Sequence, residues 1–262
     1  MLGSIDGAIA EVAELTISVT DEGLIRGDGV FEVVRIYGGV PFALEDHYTR
    51  MEGSAERSHL EVDFAALRAE VAALLEATGP VDAALRVMCT RGGRRIALIE
   101  KVAQFPETIA LAPITYSPTR VLDGVKTLSY GANMLCTRLA REAGAFEALL
   151  VTPHGRVLEA PTSSFFYVRE GRLFTPPLDD HILASITRRW IMELFEVEER
   201  SMPVEELSGI DEAFLASTFK EALPVHAIGD IELTAPGPVT REVAAKLGER
   251  IAAEVGASAA SS

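Results

Sequence analysis

Cysteine and lysine are scarce in this 262-residue chain, and each shortage is informative. The two cysteines, Cys89 and Cys136, supply neither a disulfide framework nor a Cys-x-x-Cys metal or redox pair, and both read as buried thiols. No apolar run approaches the roughly eighteen residues that would suggest a membrane span. The first residues, Met1 to Asp6, lack the basic and then apolar stretches of a signal peptide, so a soluble cytoplasmic protein without a membrane partner is expected. Positive charge is also short: 24 lysines and arginines face 39 acidic residues, a net charge of −15. That mean field repels phosphate backbones and argues against nucleic acid, while a local basic pocket could still hold a small anion. The five histidines (47, 59, 154, 181 and 226) show no His-x-x-x-His or His-x-His spacing, and no metal site is expected. A Gly-x-Ser-x-Gly elbow, a Walker loop and a Gly-x-Gly-x-x-Gly loop are all missing; Gly27-Asp-Gly29 is too short for a phosphate loop and reads as a turn.

What is present is ample core material, 48% hydrophobic residues, enough for one or two domains. Residues 29–37 broadly alternate apolar and polar side chains and, with Gly38-Gly39 and Val40 to Leu44, predict a β-hairpin. Helices are predicted over Glu45 to His59 and Asp63 to Ala77, the latter stopped by Gly79-Pro80. Ala83 to Thr90 and Thr108 to Ile114 read as strands separated by a polar insert that includes Arg91 to Arg95. The proline-containing stretch Pro113 to Arg120 reads as a linker. The division expected is a first domain over 1–116, a linker over 117–121 and a second domain over 122–262.

In the second part, strands are predicted at Val125 to Ser129, Ala148 to Thr152, Val157 to Leu158, Phe165 to Val168, Arg172 to Thr175 and Ala213 to Ser217. Helices are predicted at Ala132 to Ala143, Ile186 to Glu196 and Val239 to Val255, with frayed residues from Gly256 to Ser262.

Lysine is the informative scarcity. Only Lys101, Lys126, Lys220 and Lys246 occur, and Lys126 interrupts the apolar stretch Val121 to Tyr130. Arginine carries charge equally well but does not lose its proton near neutral pH, whereas a desolvated lysine can become a nucleophile. Lys126 therefore reads either as a strand-edge lysine reaching solvent or as a functional amine. Glu159, between an apolar strand and small residues, is either an exposed turn acid or the counter-charge of a heterocyclic nitrogen. Ser185 or Thr187 could cap the helix they begin, or serve with its free N–H groups as an anion site; Ser217-Thr218 repeats the pattern after Ala213 to Ala216. Arg50 stands either on a solvated helix face or as a phosphate clamp.

Taken in order, several stretches resemble the class IV aminotransferases, the fold-type-IV pyridoxal-phosphate enzymes. They are Arg26-Gly-Asp-Gly-Val-Phe-Glu-Val33, His47-Tyr-Thr-Arg50, Lys126-Thr-Leu-Ser-Tyr130, Glu147-Ala-Leu-Leu150, Val157-Leu-Glu159, Ile182-Leu-Ala-Ser-Ile-Thr-Arg188 and Ser217-Thr218 with Pro224-Val225. The resemblance implies a two-domain α/β (α+β) fold: a small N-terminal α+β domain, a larger domain with a barrel-like sheet, and pyridoxal 5′-phosphate between them. It implies Lys126 as the Schiff-base and proton-transferring lysine and Glu159 as partner of the pyridine nitrogen. Arg50, Ser185, Ile186, Thr187, Ser217 and Thr218 would hold the phosphate, and Leu183 would pack on the ring. Phe31 would line the substrate side, where Arg35, Arg94 or Arg95 would take the substrate carboxylate, since the Arg-x-His trap of D-amino acid aminotransferases is missing after Thr90. The implied enzyme is a homodimer that moves an amino group from an amino acid to a 2-oxo acid. Glu32-Val-Val-Arg35 resembles the D-amino acid branch, which points to D-amino acids or (R)-amines. Aminodeoxychorismate lyase and L-branched-chain aminotransferase are the alternatives.

Overall fold

The computed structural model describes residues 1–261 and divides into two compact units. The first comprises Met1–Ala103 together with Val125–Tyr130 and the end of the last helix. Its strands are β1 (Leu2–Ile5), β2 (Ala8–Glu11), β3 (Gly29–Tyr37), β4 (Val40–Pro41), β5 (Ala83–Thr90) and β6 (Arg95–Glu100). Its helices are α1 (Glu22–Arg26), α2 (Leu44–Arg57) and α3 (Phe64–Thr78). The strands form one antiparallel sheet in the order β2-β1-β6-β5-β3-β4, with α2 packed on β3 and α3 on β1 and β6. Leu67, Val71 and Leu74, at three- and four-residue spacing on α3, are all at most 1% exposed, so the apolar stripe read from the sequence is the buried face.

Strand β6 lies where a polar insert was expected. The last residue of the cluster Arg91 to Arg95 is the first of the strand, and Ile96 to Ile99 continues it as an apolar run paired along β5.

The second unit comprises Gln104–Gly124 and Gly131–Ile251. Its strands are β7 (Ile109–Thr115), β8 (Glu147–Val151), β9 (Arg156–Val157), β10 (Ser164–Arg169), β11 (Arg172–Thr175), β12 (Val197–Glu199), β13 (Met202–Pro203), β14 (Glu212–Ser217), β15 (Glu221–Ile228) and β16 (Ile231–Glu232). Helices α4 (Gly131–Glu142) and α5 (Ile186–Leu194) belong here, and α6 (Pro238–Ser261) starts here. The ten strands make a large mixed sheet in the order β12-β11-β10-β14-β15-β7-β8-β9-β13, with β16 on β15. Every residue of β8 is buried: Leu149 and Val151 join the main core, while Ala148 and Leu150 pack with Cys136 and Ala140 of α4. A strand covered on both faces reads as a continuous apolar run, as Ala148 to Val151 does.

Two segments group differently from the sequence reading. Strand β7, placed there in the first domain, pairs in parallel with β8 and β15 of the large sheet. Segment Val125–Tyr130, placed there in the second domain, clusters with the first unit; it is not a full strand but joins β3 through the bridge Val30↔Thr127. Helix α6 continues beyond Val255 to Ser261 where fraying was expected, and Ser262 lies outside the described residues.

Candidate active site

In the first unit the architecture around Lys126 begins with two glycines. Gly27 ends α1 at φ +68, and a Cβ there would stand 2.9 Å from Ser129 Oγ. At Gly29 a Cβ would lie 2.3 Å from the Cys89 carbonyl oxygen and 2.7 Å from Leu128 Cδ1. Only glycine lets β3 start this close to both neighbours. The Gly27-Asp-Gly29 turn thus admits segment Val125–Tyr130 beside β3: Phe31 N–H donates to the Lys126 carbonyl (3.0 Å) and Leu128 N–H to the Gly29 carbonyl (2.8 Å). Lys126 N–H donates to Ser54 Oγ of α2 at 3.1 Å. With its backbone held at both ends, the half-buried Lys126 places Nζ 4.5 Å from the centroid of the Phe31 ring, which meets Tyr130 edge-on at 5.4 Å.

Alternation along β3 sorts its side chains. Phe31, Val33 and Arg35 share one face; Val30, Glu32, Val34 and Ile36 face the helices. Glu32 is 1% exposed and receives Arg50 Nε and Nη2, both at 2.7 Å, with His47 Nδ1 at 2.7 Å. Burial alone would raise the Glu32 carboxyl, but the Arg50 charge and hydrogen bonds, helped by His47, overcome it and hold the pKa near 2, against 4.5 unperturbed. Burial lowers the His47 pKa, and the charges of Arg50 and Lys126 act the same way against its bond to Glu32.

The depressed Glu32 pKa has a pH signature. Its folded value lies below its unfolded one, so its stabilisation is fully present above about pH 4.5 and is lost as pH falls toward 2. The shift corresponds to about 3 kcal/mol. Glu32→Gln is expected to lower unfolding free energy by at least that order at pH 7, with the gap to the parent narrowing between pH 4.5 and pH 2 in denaturant titrations. A gap independent of pH would contradict the assignment.

The sequence-predicted arginines separate. Arg35 shares the Phe31 face, donates to the Ala83 carbonyl at 3.1 Å, lies 3.6 Å from Asp82 and stacks over Tyr37. Arg95 lies on the helix-covered face and makes a forked pair with Glu70 of α3, at 2.7 and 3.0 Å. Arg94 pairs with Asp6 and Asp21. The structure therefore groups Arg35, but not Arg94 or Arg95, with the Phe31 face. A residue the sequence reading passed over joins that face: Arg86 on β5 stands opposite Val33, next to Met88 opposite Phe31, and pairs with Glu100. Pairing register was the only signal for Arg86, and one strand's pattern does not contain it.

In the second unit, Glu159 follows β9 and is half-buried; its Oε1 accepts the Leu183 N–H at 3.0 Å, and its carbonyl accepts the Leu150 N–H at 2.9 Å. Leu183 thus orients the carboxylate through its backbone. Two residues on, Ser185 caps α5 by accepting the Arg188 N–H at 3.2 Å, and Ile186 and Thr187 form the buried first turn. First-turn N–H groups have no acceptor within their helix and carry the positive end of its dipole, which suits an anion. Ser217 ends β14 and Thr218 opens the turn to β15; Ser217 Oγ accepts the Lys220 N–H at 3.3 Å. The acceptor side of that hydroxyl is engaged, and its proton is available to donate. Within the second unit, a held carboxylate and anion donors at a helix start and a strand turn have the chemistry that a phosphorylated pyridine calls for. Among the described residues no group of three or more His, Cys, Asp or Glu could hold a metal ion, and no helix is long and apolar enough to cross a membrane.

Comparison with known proteins agrees with this donor set. The family model described as Amino-transferase class IV matches residues 29–228. A D-alanine aminotransferase of Bacillus licheniformis is 31% identical over 274 residues, covering 95% of this chain and 96% of the relative. Among solved structures, a fold IV transaminase from Curtobacterium pusillum is 28% identical with a TM-score of 0.83, covering 92% of each chain. A branched-chain aminotransferase from Thermoproteus uzoniensis, solved with norvaline, is 27% identical with a TM-score of 0.89, covering 98% of this chain and 95% of that one.

Proposed function

This chain belongs to the class IV aminotransferases, pyridoxal-phosphate enzymes that transfer an amino group from an amino acid to a 2-oxo acid, and from that premise we propose that its amino donors are D-amino acids or (R)-amines. The observation that carries the reading is the face of β3: Phe31, Val33 and Arg35 share it, the Phe31 ring lies against Lys126, and the Glu32-Val-Val-Arg35 stretch resembles the D-amino acid branch. The likeness to a D-alanine aminotransferase over nearly the whole chain supports it.

Pyridoxal phosphate supplies, when bound, an electrophilic carbonyl carbon and an electron sink. Lys126 would be the amine that holds it covalently and, once the donor's own amine has taken its place, the base that moves the donor's Cα proton. Glu159, its carboxylate fixed by the Leu183 N–H, would be the partner of the pyridine nitrogen and would favour its protonated form. The first turn of α5 with Ser185, Ile186 and Thr187, and the hydroxyls of Ser217 and Thr218, would hold the phosphate, and the family resemblance gives Arg50 the same role. Arg35 and Arg86 provide the positive charge for the substrate carboxylate, and Phe31 covers the amine. The enzyme works as a cytoplasmic homodimer, a reading supported by the exposed apolar side chains Val19, Leu24 and Ile25 in the first unit.

L-branched-chain transamination is the second reading, favoured by the close structural match to the Thermoproteus enzyme. A half-reaction screen separates the two. On mixing with D-alanine or (R)-1-phenylethylamine, the bound cofactor is expected to convert to its amino form, with L-leucine at least about tenfold slower, the discrimination of one well-placed contact. Conversion by L-leucine with an unchanged spectrum for D-alanine and the (R)-amine overturns the proposal. Pyruvate release from aminodeoxychorismate without the amino form assigns a lyase instead.

A further inference from the structure

Besides Lys126, a second lysine of the four is largely removed from water. Lys220 sits in the β14–β15 turn with a side chain only 4% exposed; Nζ is 2.7 Å from Glu147 Oε2 and donates to Thr162 Oγ1 at 2.8 Å and Ser163 Oγ at 2.7 Å. Thr162 Oγ1 also donates to Glu147 Oε1 at 2.9 Å, so the four polar groups form one closed network, with the Phe105 ring 5.5 Å from the amine. Burial lowers the Lys220 pKa, and the Glu147 charge opposes that shift. An ammonium carries three donors, and three acceptors are in reach here.

The network's position gives it consequence. Thr162 and Ser163 belong to the tight turn directly after Glu159, which is closed by its own backbone bonds, Ala160 N–H to the Ser163 carbonyl (2.9 Å) and the reverse (3.3 Å). Glu147 begins the fully buried β8. Both are fixed elements. The three-residue turn after Ser217, by contrast, is tied to them by the Lys220 side chain, while the Lys220 N–H occupies Ser217 Oγ.

We propose that Lys220 is a positioning residue for the cofactor's phosphate: anchored by Glu147, Thr162 and Ser163, it holds the β14–β15 turn so that the Ser217 and Thr218 hydroxyls point at that phosphate. The inference rests on the assignment of Ser217 and Thr218 to the phosphate under the proposed function. A positioning residue of this kind acts on one end of the ligand only. Pyridoxal, which lacks the phosphate, is the control that a general loss of structure would not spare.

The test titrates apo-protein with pyridoxal phosphate and with pyridoxal, followed by absorbance, for the parent, Lys220→Met, the double variant Lys220→Met/Glu147→Gln, and Ser217→Ala/Thr218→Val. Removing one partner of a buried ion pair strands the other, so the double variant, which removes both charges, carries the comparison if the single one does not fold. Each Lys220 variant is expected to weaken pyridoxal phosphate binding by about 10- to 100-fold, the worth of a hydrogen bond to a charged group, and to leave pyridoxal binding unchanged. If Ser217→Ala/Thr218→Val is phosphate-selective while the Lys220 variants weaken both ligands equally or neither, the Lys220 proposal is wrong and the phosphate assignment stands. If no variant is phosphate-selective, the assignment of Ser217 and Thr218 falls and the proposal with it.

Discussion

Lys126→Ala is expected to lower kcat/KM for transamination by at least about 10⁴-fold, because the role proposed for this side chain combines the covalent hold with the proton transfer, and positioned acid–base catalysis alone contributes up to about that factor. The structural effect should be small. Lys126 is held in place by its backbone, with N–H on Ser54 and carbonyl on the Phe31 N–H, and neither bond needs the side chain. The local losses include the amine's contact with the Phe31 ring, worth of order 1 kcal/mol for a partly desolvated cation. The variant should therefore fold, bind pyridoxal phosphate non-covalently, and lack the absorbance band of the lysine-linked cofactor. Added alkylamines should restore a trace of activity by replacing the missing base. An Ala variant that retains the band and turns over at the parent rate would remove Lys126 from the chemistry.

Glu159→Gln has the next largest expected effect, a fall in kcat of about 10²- to 10³-fold, the range found when one preorganised electrostatic partner is removed. The substitution keeps the shape and an oxygen for the Leu183 N–H, so the loop into α5 should hold. Its neutral amide no longer favours a protonated ring nitrogen, and the electron sink weakens as a result. Because the role proposed for the carboxylate is at the ring and not at the phosphate, binding of pyridoxal phosphate should fall far less than kcat. Equal losses in both would make Glu159 a cofactor anchor only, and an unchanged kcat would deny it the ring nitrogen.

The candidate residues were legible in the sequence because they sit where the local pattern is broken. Lys126 disrupts an apolar stretch in an arginine-rich chain; Glu159 and Ser217-Thr218 end apolar strands; Ser185 precedes a helical period and caps it, as its residue type suggests. What stayed hidden is pairing across the chain. Strand β15 was missed because Glu221 and Pro224 break the strand pattern, yet it joins β14 and β7 at the centre of the large sheet. Arg95 was one of three arginines offered for the substrate carboxylate, and only the formation of β6 reveals its pairing with Glu70. Glu32 was read only as part of a motif, although a carboxylate on the inward phase of an alternating strand needs a cationic partner, and Arg50 and His47 supply the hydrogen bonds. Lys126 was placed with the second domain because no local feature reveals that Gly27 and Gly29 leave room for its segment beside β3.

The same scarcity of lysine makes the central claim directly measurable. Borohydride reduction of the loaded enzyme, followed by peptide mapping, asks which of four side-chain amines carries the cofactor. Label on the peptide containing Lys126, and its loss in Lys126→Ala, is the predicted result; label on Lys101, Lys220 or Lys246 in the parent enzyme would contradict the account.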